Sequence, residues 1–468
     1  MKEEIILRME SMATTGKAIG HIDKQVVFVD RAVPGDLITL RVKKKKKTFL
    51  EGTIDTLLEP SPDRINPECT HFGLCGGCKW QHINYNEQLR YKQQQVSDNF
   101  SKLAKVPIGA IQEIVPSVKP YYYRNKLEFT FSNKRWLYSE EISSGEIIER
   151  SGLGFHLPSQ FDKVLDIDHC HLQPDPSNLI RTVVKNHALE TGLSFYDINK
   201  HEGFLRNLIV RTTIAGDVMV ILQVGQDHLE HISGVMETLK KNVPGLTSLN
   251  YVVNTKKNET FTDLSVHTYF GQTYIRESFP KPDKSGNLTF KISPKSFFQT
   301  NSLQAEILYK IAWEFAALTG SEIVYDLYTG TGTIANYIAG SAGKVVGIEY
   351  VPEAIEDAKE NSLHNNIFNT SFFSGDLKDI LTDEFVTMNG KPDVLICDPP
   401  RAGMHEEVCH QLLKISPEKI VYISCNPATQ ARDVAILADK YNLDRIQPVD
   451  MFPHTPHVEN IALLTLKK

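Results

Sequence analysis

The sequence predicts an α/β protein of several domains, built on a doubly wound parallel sheet in its C-terminal part. Three observations predict it. From about Ser296 onward, apolar strands alternate with helical stretches: "IVYDLY", "KVVGIEY", "DVLICD", "KIVYIS" and "IALLTL". That alternation is how a parallel sheet covered by helices on both faces reads. The first 60 residues instead carry closely spaced strands cut by turn signals, the pattern of a small β-barrel. Between the two lie strand-like runs that suggest a mixed α/β or largely antiparallel region. At 468 residues the chain is too long for one ordinary core.

Taken in order, the barrel strands are "VVFVD", "DLITLRV" and "FLEGTIDTLL", with Pro34-Gly35-Asp36 as a turn. "EPSPDRINPE" is a proline-rich linker. A cysteine cluster, "CTHFGLCGGCKWQH", follows, and "NYNEQLRYKQQQVSDNFSKLA" reads as a polar helix. "YYYRNKLEFTF", "FLRNLIVRTT" and "VMVILQV" are the strands of the middle region. "SLQAEILYKIAWEFAAL" has helical spacing and opens the C-terminal alternation.

The composition, 41% hydrophobic and 23% charged, is that of a soluble globular protein. No apolar run approaches bilayer length and "MKEEIILRME" lacks a signal-peptide core, so no membrane partner and a cytoplasmic location are expected. Seven cysteines, an odd number, argue against a closed disulfide framework and for metal binding or catalysis. The net charge of −6 does not advertise a polyanion partner; only the run Lys43–Lys47 is locally basic, and by itself it reads equally well as a solvated hairpin.

"VYDLYTGTGTIANYIAG" is a strand, a glycine turn and a helix. Gly330 and Gly332 let the backbone approach a ligand, and the helix N-terminus offers unpaired N–H groups. Glu349 ends the next strand, where a carboxylate can accept from both ribose hydroxyls. The full dinucleotide fingerprint is missing, which argues against NAD and FAD. Asp-Leu-Tyr-x-Gly-x-Gly with Glu349 resembles the S-adenosylmethionine site of Rossmann-like methyltransferases. Asp376, in "FFSGDLKD", stands where such enzymes contact adenine, although a helix N-cap is a plain reading of it. Asp398, in "DVLICDPPRAG", ends a parallel strand and faces the crevice.

Arg401 replaces the aromatic residue that amino-group methyltransferases carry after Asp-Pro-Pro and stack on a flipped base. It also replaces one of the two cysteines of cytosine-5 RNA methyltransferases. Uracil-5 methylation remains. Carbon 5 of uracil is a poor nucleophile until a thiolate adds to carbon 6, and a base must later remove the carbon-5 proton. Cys425, ending "KIVYIS", is placed for the first task. Glu459, before "IALLTL", is the candidate base, with His454 and His457 as rivals. Cys397 and Cys409 read as core or surface cysteines.

Together "SCNPAT", "DPPRAG", "DMFPHTPHVE" and the glycine loop resemble the RNA uracil-5-methyltransferases over essentially the whole chain. The resemblance implies a class I methyltransferase domain, Cys425 as nucleophile and Glu459 as proton acceptor. It implies S-adenosyl-L-methionine contacts from Gln299, Tyr328, Glu349, Asp376 and Asp398, and from Thr333, a hydroxyl where the family usually has Asn. "TGKAIGHI" and "VVFVDRAVPGD" look like a TRAM barrel, which makes the lysine run a phosphate contact.

Cys69, Cys75 and Cys78 have the spacing C-x5-C-x2-C, with Cys170 in "DHCHL" as a possible fourth ligand. Spacing alone permits zinc or an iron–sulfur cluster, and leaves His71, His82, His169 and His171 open as ligands. The family branch with this motif implies a [4Fe–4S] cluster on the four cysteines. The resemblance also turns Arg124, Lys126 and Arg206 toward RNA. The expected division is 1–60 for the barrel, 61–90 with 125–285 for the central domain, and 91–124 with 286–468 for the methyltransferase domain. The expected substrate is RNA, ribosomal 23S RNA ahead of tRNA, and the expected state a monomer.

Overall fold

A computed structural model describes residues 5–107, 109–146, 148–158 and 160–468. Residues 1–4, Ile108, Ile147 and Ser159, which fall inside the expected domain spans, lie outside the described residues.

The first sheet has six strands, in the order Ile6–Arg8, Leu37–Lys45, Phe49–Glu59, Gln25–Asp30, Ala18–Ile22 and Ser11–Met12. Ile6–Arg8 pairs with Leu37–Thr39 on one edge, while Ser11–Met12 pairs with Ala18 and Ile19 on the other. One stretch of chain thus bridges both edges and closes the sheet into a barrel. Its interior holds Leu7, Met9, Val27, Val29, Ile38 and Leu50. Three register shifts between Leu37–Lys45 and Phe49–Glu59 give the curvature that closure requires. The basic run is exposed at the far end of that hairpin.

The second sheet has seven strands, among them Lys126–Ser132, Leu205–Thr212, Val218–Val224 and Leu246–Val253. It is antiparallel except where Val218–Val224 runs beside Leu246–Val253. Leu205–Thr212 and Val218–Val224 are buried along their whole length; the second is apolar except for Gln223, while the first buries Arg206, Asn207 and Arg211 among its apolar residues. Helices Ser177–Glu190 and Leu229–Asn242 join one face in a single core with Phe129, Leu208 and Leu222.

The third sheet carries the crevice. Its strands are β1 (Ile323–Leu327), β2 (Lys344–Glu349), β3 (Thr370–Ser374), β4 (Val394–Cys397), β5 (Lys419–Ser424), β6 (Tyr441–Val449) and β7 (Glu459–Leu466). They lie in the order β3-β2-β1-β4-β5-β7-β6, with Ala110–Ile111 added beyond β6. The pairs from β3 to β5 are parallel, and β7 runs antiparallel between β5 and β6. The strand order reverses direction at β1 and β4, and ligands bind at such a switch point, beyond the carboxyl ends of the strands. Helix α1 (Tyr85–Asn99) is remote in sequence from this sheet but lies against it, with Gln88, Tyr91, Lys92 and Val96 buried. Three further helices matter to the site: α2 (Thr333–Ala339), α3 (Pro352–His364) and α4 (Pro427–Leu437). Among the described residues no helix is long and apolar enough to cross a membrane.

Candidate active site

The glycine loop between β1 and α2 is built around a buried carboxylate. Asp326 accepts from Thr329 Oγ1 and from Ala335 N through one oxygen. Its other oxygen is buried without a partner. Burial pushes its carboxyl up to about 7. Tyr328 adopts a left-handed backbone (φ 62°) that turns the chain over the carboxyl end of β1.

The two glycines differ in their reason for being glycine. A β-carbon at Gly330 would meet open space, whereas one at Gly332 would lie 2.8 Å from Ala358 Cβ and 3.1 Å from the Phe372 ring. Gly330 therefore leaves room on the ligand side, and Gly332 lets α2 pack on α3 and β3.

Glu349, at the end of β2, accepts from Gly330 N and Val351 N, one bond to each oxygen, both 3.1 Å. The carboxylate is fixed by backbone and keeps lone pairs for a ribose. Asp376 caps the helical turn Leu377–Ile380 by accepting from Lys378 N, so the plain reading of it is observed alongside its position at the end of β3. Thr333 opens α2, 3.3 Å from Thr331 Oγ1. Gln299 is half-buried, its backbone carbonyl accepting from Asn125 Nδ2. The cradle, its unpartnered Asp326 oxygen and the fixed Glu349 fit an adenosine-bearing ligand.

Cys425 follows β5 directly, at the turn into α4, where Asn426 caps the helix by accepting from Ala428 N. Glu459 is the first residue of β7. Ser424 pairs with Asn460 in the ladder between these strands, which sets the nucleophile candidate beside the base candidate. Burial pushes the Cys425 thiol up to about 11, and the nearby Glu459 and Asp398 carboxyls add to this. Burial and Asp398 push Glu459 up to about 8. Burial pushes Asp398 up to about 7. Arg401 opposes the shift at both Cys425 and Glu459.

Both rival histidines are hydrogen-bonded to other side chains. His457 Nδ1 accepts from Arg401 Nη2 at 2.8 Å, which fixes the neutral tautomer with its proton on Nε2. His454 is buried, bonded to Gln88, and pushed down to about 4 by that burial. Cys397 and Cys409 are buried in the core.

A model of the family described as tRNA (Uracil-5-)-methyltransferase matches residues 212–467. The chain belongs to that family. It is thereby an enzyme of the RNA (uracil-5-)-methyltransferase class. It is 51% identical over 460 residues to an uncharacterized RNA methyltransferase of Bacteroides thetaiotaomicron, covering 97% of this chain and 100% of the relative. It is 52% identical over 468 residues to an uncharacterized RNA methyltransferase of Porphyromonas gingivalis, covering 98% and 99%. The Pyrococcus abyssi tRNA (uracil-54, C5)-methyltransferase, solved with S-adenosyl-L-homocysteine, matches with a TM-score of 0.75 and 28% identity, covering 98% of this chain and 100% of that one. The class I S-adenosylmethionine-dependent fold of the enzyme follows from that match and from the strand order.

Away from the crevice, Cys69, Cys75, Cys78 and Cys170 line one cavity of about 120 Å³ together with His71, His169 and His171. Among the described residues no three His, Cys, Asp or Glu side chains converge closely enough to hold a single metal ion. His71 Nε2 accepts from Asp168 N. Arg124 borders the cavity and lies over the Phe452 ring.

Arg206 departs from the RNA-facing expectation. It is 1% exposed and donates to the carbonyls of Asn254, Lys256 and Asn258, with its Cζ 4.2 Å from the centroid of the Tyr196 ring. Continuous burial of its strand on both faces is the reason. Lys126 stands directly opposite Arg211 in the ladder, both largely withdrawn from solvent.

Sequence reasoning missed the polar side of α1. Tyr85, Gln88 and Lys92 repeat at helical spacing, but a buried polar stripe has the same spacing as a solvated one.

Proposed function

We propose that this enzyme methylates carbon 5 of uridine in RNA, with Cys425 as nucleophile and Glu459 as proton acceptor. The ladder contact between Ser424 and Asn460 carries the reading, because it brings a thiol and a carboxyl together at the carboxyl end of a parallel sheet. Cys425, its thiol proton lost to solvent, adds as the thiolate to carbon 6, and the displaced π electrons make carbon 5 nucleophilic. S-adenosyl-L-methionine, held by Gln299, Tyr328, Thr333, Glu349, Asp376 and Asp398, supplies the methyl group that carbon 5 takes. Glu459 then removes the carbon-5 proton. The C–H electron pair re-forms the ring double bond, and the carbon 6–sulfur pair leaves with Cys425.

Glu459 suits that step. A carboxyl near 8 is a strong base for its type and is partly ionised at neutral pH. The test is an RNA carrying 5-fluorouridine, whose carbon-5 fluorine no base can remove as a proton. The expected result is a denaturation-stable enzyme–RNA adduct that is lost in Cys425→Ala. Wild-type enzyme that turns over without ever forming it would refute the reading.

The substrate we propose is ribosomal RNA, 23S in particular. The N-terminal barrel with its exposed lysines supports it, and we further propose that Cys69, Cys75, Cys78 and Cys170 would hold a [4Fe–4S] cluster. Four cysteines lining one cavity are the ligand type and number that such a cluster takes. Cluster and central domain, 61–90 with 125–285, would position RNA against the methyltransferase domain, 91–124 with 286–468, in a cytoplasmic monomer. The family description and the Pyrococcus neighbour favour a second reading, tRNA. Mapping which 5-methyluridine disappears from rRNA or tRNA in a deletion strain separates the two.

A further inference from the structure

The segment from Asp450 to Val458 delivers Glu459 to the crevice, and it is held from outside the methyltransferase sheet. Three α1 side chains on one helical face hold it: Tyr85, Gln88 and Lys92. Gln88 has no exposure. Its Oε1 accepts from His454 N at 2.8 Å, and its Nε2 lies 3.2 Å from His454 Nδ1. The same Nε2 donates to the carbonyls of Trp80 (3.0 Å) and Ile83 (2.9 Å). Lys92 Nζ donates to Asp450 Oδ1 (2.6 Å) and to the Phe452 carbonyl (3.0 Å), and Tyr85 donates to Asp450 Oδ2 (2.8 Å).

His454 has a left-handed backbone (φ 63°), which a β-carbon disfavours and which lasts only where the surroundings impose it. Its carbonyl accepts from Lys79 N (2.8 Å) and Trp80 N (3.0 Å), the two residues after Cys78. Cys425 is delivered by a different turn, capped by Asn426 and anchored through Asn426 Nδ2 to the Arg401 carbonyl. The clamp on His454 therefore bears on the segment that leads into Glu459 and not on the turn that carries Cys425, while the ladder holds the backbone of both.

We propose that Gln88, supported by Lys92 and Tyr85, is a positioning residue for the second half of the reaction. It holds the strained turn at His454, so that Glu459 stands over the carbon-5 proton of the adduct on Cys425. This rests on the reading of Cys425 and Glu459 given above. With the base displaced, thiolate addition and methylation proceed. The C–H bond at carbon 5 is then not broken, the carbon 6–sulfur bond is not released, and methylated RNA stays on the enzyme.

The experiment uses full-length enzyme, an RNA transcript substrate and S-adenosylmethionine labelled in its methyl group, with label followed into a denaturation-stable enzyme–RNA band. Glu459→Gln is the control and accumulates the band. Gln88→Leu is expected to lower kcat roughly 10- to 100-fold with KM for RNA unchanged, and to accumulate the band as the control does. Tyr85→Phe, which removes one hydroxyl, gives the same signature more weakly and serves if Gln88→Leu does not fold. Turnover that falls without the band overturns the proposal, because addition and elimination have then failed together. So does wild-type turnover. Absence of the band in Glu459→Gln overturns the reading of Cys425 and Glu459 and the proposal with it.

Discussion

To act as the proposed base Glu459 must be ionised, and its surroundings oppose ionisation. The rate of product release from the adduct should therefore rise with pH and level off above about 8, where Glu459 is largely deprotonated. Arg401 is the cation that offsets this, so Arg401→Met should move the midpoint of that profile to higher pH; an unmoved midpoint would show that the guanidinium does not act on the base. The same group makes a stability prediction. Its folded value, about 8, lies above its ordinary value of 4.5, so the folded protein binds the proton more tightly and loses stability as pH rises between the two. Glu459→Gln should match wild type below about pH 4.5 and gain on it up to about pH 8, by as much as ~1.4 kcal/mol per pH unit. Thermal unfolding across that range reads it. The strand ends that carry Cys425 and Glu459 were legible in the sequence because each closes a distinctive short motif. The work of Arg401 was not: in sequence it is only the residue that replaces an aromatic, and its partners Cys425, His457 and Glu459 come from other loops.

Among the elements, the glycine loop was legible as a turn, but not which glycine is required by packing and which faces open space. The structure divides them, and the division is testable. Gly332→Ala must adopt φ 73° with its new carbon against Ala358, so it should cost about 1–3 kcal/mol of stability. Gly330→Ala has space, and should cost about 1–2 kcal/mol while weakening S-adenosylmethionine binding more than Gly332→Ala does. Thermal melts with and without the ligand distinguish the two. Helix α1 was equally legible as a helix and equally opaque in purpose. Nothing in "NEQLRYKQQQ" says which polar side chains will be taken out of water, because that depends on a segment more than 350 residues away.

At the scale of the molecule, four distant stretches meet around that segment. The barrel loop reaches it through Gly16, whose carbonyl accepts from Trp80 Nε1 and whose added β-carbon would lie 3.2 Å from Pro456. The cysteine loop reaches it through Lys79 and Trp80, α1 through Lys92, and Tyr123 donates to the Pro453 carbonyl. Lys92 and Asp450 have no exposed side-chain surface. Lys92→Met should cost about 3–5 kcal/mol by stranding a buried carboxylate, and Lys92→Met with Asp450→Asn should recover much of it. Urea melts of the two variants decide whether the pair matters as a pair. The fold class, the barrel and the parallel sheet were readable from local periodicity, whereas this junction was not, since contacts between remote stretches leave no periodic trace.

The ladder between β5 and β7 has one further consequence, for how the enzyme tolerates genetic change. The thiol and the carboxyl are spaced by backbone pleats rather than by the bulk of neighbouring side chains. Exchanging one aliphatic residue for another within Ile461–Leu464 should be forgiven. Loss of a single codon there should not, because every later side chain would change faces and the pairing beside Asn460 would be re-spaced. A library of substitutions and one of single-codon deletions across β7 should therefore give opposite survival patterns: errors of spelling silent, errors of spacing null.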